Sequence, residues 1–181
     1  MMLRKLVGSV AVAAVVVAAS AAQVSAQVSN GYTDVGAVVG IGNLGSASAS
    51  FGGRFERIFK ELPDLGGGLL GIGVSADYYS YSNGFSNNYS FKYIPIGATA
   101  NYHFKLQNKK FDPFIGAGLG YQIISCSYSG VGGSVNLCGN SSIYFIGRAG
   151  GRYFFTPSLA AYADVGAGAA TLNVGVTFKL K

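Results

Sequence analysis

The stretch FDPFIGAGLGYQ, Phe111 to Gln122, alternates two kinds of residue. In an extended chain Pro113, Ile115, Ala117, Leu119, Tyr121 and then Ile123 share one face, while Asp112, Gly116, Gly118, Gly120 and Gln122 share the other. Glycine packs nothing and weakens a strand, so its repetition in step needs a reason. A dinucleotide loop is not that reason. It requires G-x-G-x-x-G between a strand and a helix, and here the spacing is G-x-G-x-G with no helical pattern before Cys126. One face is continuously apolar and the other tiny or polar. That is the reverse of a soluble sheet laying bulky side chains on a core.

The same alternation recurs along the chain, with turn signals between segments. It predicts strands over roughly 32–42 and 46–59, a turn at Pro63-Asp64-Leu65-Gly66, and six further strands. The apolar faces of these six contain Val74, Ala98, Leu119, Phe145, Ala163 and Val176. Eight strands of this length cross a bilayer when tilted. Only a closed barrel satisfies every backbone group in lipid, so the expected fold is all-β: an eight-stranded antiparallel transmembrane up-and-down barrel. Its interior is barely wide enough for its own side chains, which gives the inward glycines their reason. Composition agrees. Half of the residues are apolar, yet past the N-terminal segment no apolar run reaches the length of a spanning helix. A soluble lipocalin-type barrel would need far more surface charge than the 11% present. Aromatics at strand ends read as interfacial girdles, with Tyr78, Phe91 and Tyr121 on one rim and Phe55, Phe104, Phe111, Tyr153 and Phe178 on the other.

The chain opens with Arg4 and Lys5, an apolar run from Leu6 to Ala22, and the small triplet Val24-Ser25-Ala26. This is the pattern of a secretory signal peptide, 1–26, with cleavage between Ala26 and Gln27; Ala22/Gln23 is the second choice. The barrel domain is then 27–181. Loss of Arg4 and Lys5 lowers an already mild positive charge, and no basic run with interleaved aromatics points to nucleic acid. With both termini periplasmic, the tight connections (61–66, 105–110, 156–158) lie inside. The longer, uncharged ones lie outside: a short loop near 43–46, then 81–90 and 127–140, with the last pair of strands joined near Ala169.

The inward positions hold four acids, Asp34, Glu56, Asp77 and Asp164, and four bases, Arg54, Arg148, Arg152 and Lys179. Buried charge is tolerable when paired, so these eight are expected to form a salt-bridged lumen. Strand adjacency pairs Arg148 or Arg152 with Asp164, and barrel closure brings Lys179 to Asp34. The alternative use of such a lumen is a narrow porin-like path for ions or small solutes. His103, the one histidine, faces inward near the periplasmic end without a nucleophile, so no catalytic residue is assigned; an outer-membrane lipid-modifying enzyme is the most distant reading. One histidine and two distant cysteines do not make a metal site, and no cofactor is expected. Cys126 and Cys138 flank one hairpin in an oxidising compartment and are expected to form a disulfide. The outer loops, rich in Tyr, Ser, Asn and Gly, suit adaptable contact with surface or host ligands.

FDPFIGAGLGYQ, GRAGGRYFFTPSLAAYADVGAG and the closing NVGVTFKL resemble the small outer-membrane β-barrel family that includes the OmpA transmembrane domain and OmpX. The resemblance covers the mature chain, in pattern more than in identities. It implies a non-enzymatic protein of the Gram-negative bacterial outer membrane, in contact with outer-membrane lipid and lipopolysaccharide, with a structural or surface-interaction role. No periplasmic peptidoglycan-binding segment follows Lys181, so OmpA's anchoring role is not implied.

Overall fold

The computed structural model describes residues 28–83, 89–128 and 141–181; the expected signal segment 1–26 lies outside them. Eight strands follow in order: β1 Thr33–Ile41, β2 Ser50–Leu62, β3 Gly68–Asn83, β4 Tyr89–His103, β5 Phe111–Tyr128, β6 Ser142–Phe154, β7 Leu159–Ala167 and β8 Leu172–Lys179. Each pairs antiparallel with the next, and β8 pairs with β1, so the sheet closes without an edge. Pro63 opens a 3₁₀ turn between β2 and β3, and Gly66 ends it at φ 74°, where a Cβ would be strained.

Alternation decides the two faces. One cross-strand row runs Phe178, Val35, Phe55, Val74, Ala98, Leu119, Phe145, and every member points outward. Leu119 is 60% exposed and Val74 48%. An apolar surface this continuous is a membrane face. The opposite parity faces a narrow lumen, and there the glycines sit opposite large or polar side chains. Gly52 pairs with Asp77, Gly116 with Asn101 and Gly120 with Tyr144. A Cβ at these glycines would lie 1.9 Å from Asp77 Oδ1, 2.1 Å from Asn101 Oδ1 and 2.2 Å from the Tyr144 ring. The inward glycines of the opening stretch are the space into which those neighbours lean.

Residues outside the strands pack at both ends of the lumen. At the terminal end Val28 and Tyr32 pack with Ile58, Leu69, Phe154 and Ala160; the Ile58 amide donates to the Tyr32 carbonyl and the Ile58 carbonyl accepts from the Gly31 amide. At the far end the β1–β2 loop folds over the mouth. Leu44, 2% exposed, is buried there against Tyr79 and Ala170, with Ala47 and Tyr93 beside it. This loop corrects the expected start of the second strand at residue 46, since pairing begins only at Ser50. Phe91 is also corrected. It shares the inward parity of Tyr93 and stacks on Tyr81 at 5.3 Å, so it belongs to the inner face of the long β3–β5 strands and not to the lipid-facing girdle.

Candidate functional site

The lumen is organised around two arginines of β6. Arg152, 1% exposed, reaches carboxylates on three strands. Its Nη1 donates to Asp112 Oδ2 at 2.9 Å, its Nη2 donates to Glu56 Oε2, and its Nε lies 3.2 Å from Asp34 Oδ2. The Nε contact is close enough for charge attraction but off-line for a hydrogen bond. His103 braces the same carboxylates. Its Nδ1 is 3.0 Å from both oxygens of Asp112 and its Nε2 is 3.0 Å from Glu56 Oε1, contacts that both ring nitrogens can donate to only as an imidazolium. Asn101 Nδ2 donates to Glu56 Oε1 at 2.6 Å and the Tyr32 hydroxyl donates to Asp34 Oδ2 at 2.9 Å. The Tyr32 and Phe114 rings stand 5.6 and 5.8 Å from the guanidinium carbon. Among the described residues no group of His, Cys, Asp and Glu is placed to hold a metal ion, and these carboxylates are bridged by a guanidinium instead.

A second cluster lies further from the termini. Arg148 pairs with Asp164, which also accepts from the Tyr162 hydroxyl and, at 2.8 Å, from Asn173 Nδ2. The same guanidinium donates to the carbonyls of Ala170 and Thr171, tying β6 to the β7–β8 turn. Arg54 lies over the Tyr162 ring at 5.6 Å. Among the described residues, Arg54 Nε and Asp77 Oδ1 are buried without a hydrogen-bond partner. Both border a cavity of ≈ 50 Å³ that is also lined by Tyr144, Arg148 and Asp164, room for a few waters.

Of the eight charges expected in the lumen, Asp34, Glu56, Arg152, Arg148 and Asp164 make ion pairs here. Arg54 and Asp77 line the cavity. Lys179 is a correction. It stands beside Asp34 in the β1–β8 register, but Asp34 turns to Arg152, and the Lys179 ammonium lies 5.5 Å from the Tyr32 ring centre. Sequence reasoning missed Asp112. It lies on the inward parity of β5 directly opposite Arg152, and that parity was the available signal. Cys126 lies on the inward parity of β5; Cys138 lies outside the described residues, so their pairing is taken up below as a proposal.

A closed barrel that is apolar outside and ion-paired inside is a small transmembrane up-and-down barrel. The chain has the fold of the small outer-membrane β-barrels. The crystal structure of the N-terminal β-barrel domain of Pseudomonas aeruginosa OprF matches it with a TM-score of 0.54 and 16% identity, over 83% of this chain and 98% of that one. The attachment invasion locus protein Ail of Yersinia pestis matches with a TM-score of 0.49 and 14% identity, over 83% and 96%. Neisserial surface protein A matches with a TM-score of 0.44 and 23% identity, over 82% and 95%. At 16% identity the likeness to the OprF barrel is one of fold. No protein-family model matches the sequence, and no curated protein matches it significantly.

Proposed function

We propose that this is an integral protein of the bacterial outer membrane, exported by cleavage after residue 26, non-enzymatic, and closed to solutes, with a structural or surface-interaction role. Obstruction at successive levels carries the reading: Leu44 at the far mouth, the Arg148–Asp164 and Arg152 clusters within, and Val28 with Tyr32 at the terminal end. Charged groups held this way favour a filled lumen over a path, because each ion that entered would have to displace a paired and buried group. The single histidine is committed to two carboxylates and buried at the terminal end, which disfavours a lipid-modifying active site. Refolded protein in a planar bilayer should migrate heat-modifiably on gels and show no conductance steps. Stable porin-like steps would replace this reading with the narrow channel.

The outer loops extend the proposal. A Cys126–Cys138 bridge would tie the β5–β6 connection while leaving the barrel's hydrogen-bonded closure untouched. Reduction should raise protease cleavage between Ser127 and Asn140 while the heat-modifiable barrel survives. Thiol labelling of the unreduced protein on intact cells is the check. Ready labelling of both cysteines would mean there is no bridge.

A further inference from the structure

The two ends of the barrel differ in charge. Among the described residues, the exposed bases Arg57, Lys60, Lys105, Lys109, Lys110 and Lys181 all lie toward the terminal end, whereas Lys92 is the one exposed charge at the other. Two exposed acids, Glu61 and Asp64, share the terminal end, and Glu61 is ion-paired with Lys105. That pair joins two turns. β3 and β4 are adjacent, so the β2–β3 turn (63–67) and the β4–β5 turn (104–110) stand side by side. A second tie runs from the Tyr102 hydroxyl, which donates to the Leu65 carbonyl. Tyr102 can lie across the β2–β3 turn because residue 68 is glycine, where a Cβ would overlap its ring. On this braced surface two leucines are turned to solvent, Leu65 at 61% exposure and Leu106 at 43%. Leu106 and the lysines at 105, 109 and 110 lie in the turn bracketed by the rim aromatics Phe104 and Phe111. A dimple of ≈ 20 Å³ beside Leu106, walled by Lys105, Lys109, Phe111 and Val28, has room for one methyl-sized group.

We propose that this two-turn surface docks an acidic segment of a soluble periplasmic protein, its carboxylates on Lys109 and Lys110 and an aliphatic side chain against Leu65 and Leu106. The proposal rests on the outer-membrane placement argued above, which turns the terminal end toward the periplasm. Charge gives the sign of the partner: with Lys105 and Glu61 paired, Arg57, Lys60, Lys109, Lys110 and Lys181 face Asp64 alone. The leucines give its class. Past the aromatic rim a bilayer presents headgroups rather than acyl chains, so lipid would meet the lysines and leave both leucines in water. An aliphatic side chain on a protein segment covers them. The cross-ties hold the two turns in one arrangement before a partner arrives, which lowers the ordering cost of binding. The surface is small and its charges are exposed, so the complex is transient and salt-sensitive.

Anisotropy of a fluorescent Glu-Glu-Leu repeat peptide, titrated with the refolded barrel in nanodiscs of zwitterionic lipid, tests this. The peptide should bind, and its Gln-Gln-Leu and Glu-Glu-Ser counterparts should bind at least about tenfold more weakly. Raising salt from about 0.05 to about 0.5 M should weaken the Glu-Glu-Leu peptide by a similar factor. Lys109→Glu with Lys110→Glu should lose about tenfold, and Leu106→Ser about fivefold with the salt dependence kept. Lys92→Glu, at the opposite end, should change nothing. Heat-modifiable migration confirms that each variant is folded. Equal binding of either counterpart peptide, an unaffected Lys109→Glu/Lys110→Glu variant, or displacement of the peptide by phosphatidylglycerol vesicles each overturns the site. Placement is read separately, on cells. Gln107→Cys should label with an impermeant thiol reagent only after the outer membrane is breached; labelling on intact cells would overturn the periplasmic partner through its placement, whereas a failed titration overturns the docking surface alone.

Discussion

Arg152 and Gly118 show how narrow the tolerances of this lumen are. Arg152 balances Asp34, Glu56 and Asp112, and its removal leaves three carboxylates facing one another without the guanidinium between them. Breaking a buried charge network by deleting one partner is strongly destabilising, so Arg152→Ala should cost about 3–5 kcal/mol in urea unfolding from lipid vesicles. A loss below about 1 kcal/mol would mean the carboxylates are solvated or protonated in the native barrel. Gly118 fails for a different reason. A Cβ there would lie 1.9 Å from the carbonyl oxygen of Ala98, which is backbone and cannot swing away. Gly118→Ala should therefore cost about 1–3 kcal/mol by overpacking, and a leucine there would add overfilling of the lumen. Gly53→Ala, on the outward face with open space, should be near neutral. Equal effects at the two glycines would dismiss the packing argument.

Individual strands carry the membrane face. The outward run Leu70, Ile72, Val74, Ala76, Tyr78 of β3 is apolar from end to end, and Val74 lies at its centre. Val74→Arg should cost about 2–4 kcal/mol in bilayers, the penalty for a guanidinium near the midplane of a barrel's lipid face. The same substitution at Ser80, one outward position past the apolar band, should be tolerated. If Val74→Arg unfolds no more easily than native protein, that face does not meet lipid. The unequal strands add a second feature. β3, β4 and β5 have 16, 15 and 18 residues against 9 in β1 and β7, so they carry their pairing beyond their neighbours. On the inner face of that extension Tyr79 stacks on Tyr93 at 4.7 Å, Tyr81 stacks on Tyr93 at 5.7 Å, and Gln122 donates to the Tyr79 hydroxyl at 2.6 Å. These rings stiffen the extension and hold Leu44 in place over the mouth.

For the molecule as a whole, the proposed filled lumen would be closed in series. Leu44, the β6 arginine clusters and the Val28–Tyr32 segment lie at different depths of the lumen. Emptying one level leaves the others in place. Leu44→Gly should therefore remain silent in planar bilayers, and so should any folded fraction of Arg152→Ala. Steps should appear only when levels are removed together. Conductance in Leu44→Gly alone would show that the mouth is the sole barrier and that the charge clusters leave a path.

Strand count, strand direction and the facing of nearly every residue were legible in the sequence, because a side-chain period of two leaves one face for lipid and one for the lumen. Adjacency of β6 and β7 offered Asp164 either Arg148 or Arg152, and the fold gives it Arg148. The partner of Asp34 was not legible. Sequence supplies adjacency along the sheet, which offered Lys179, whereas a closed barrel brings opposite walls within reach of one long side chain. Arg152 of β6 thus spans the lumen to β1 and β2. Asp112 faced inward by its own parity but gained its meaning only when Arg152 was seen opposite it. Leu44 and Val28 lie in segments without periodicity, so nothing local marked them as closures. Only the closed sheet, with two open mouths exposing apolar side chains, decided which loop and which terminal segment would be buried there.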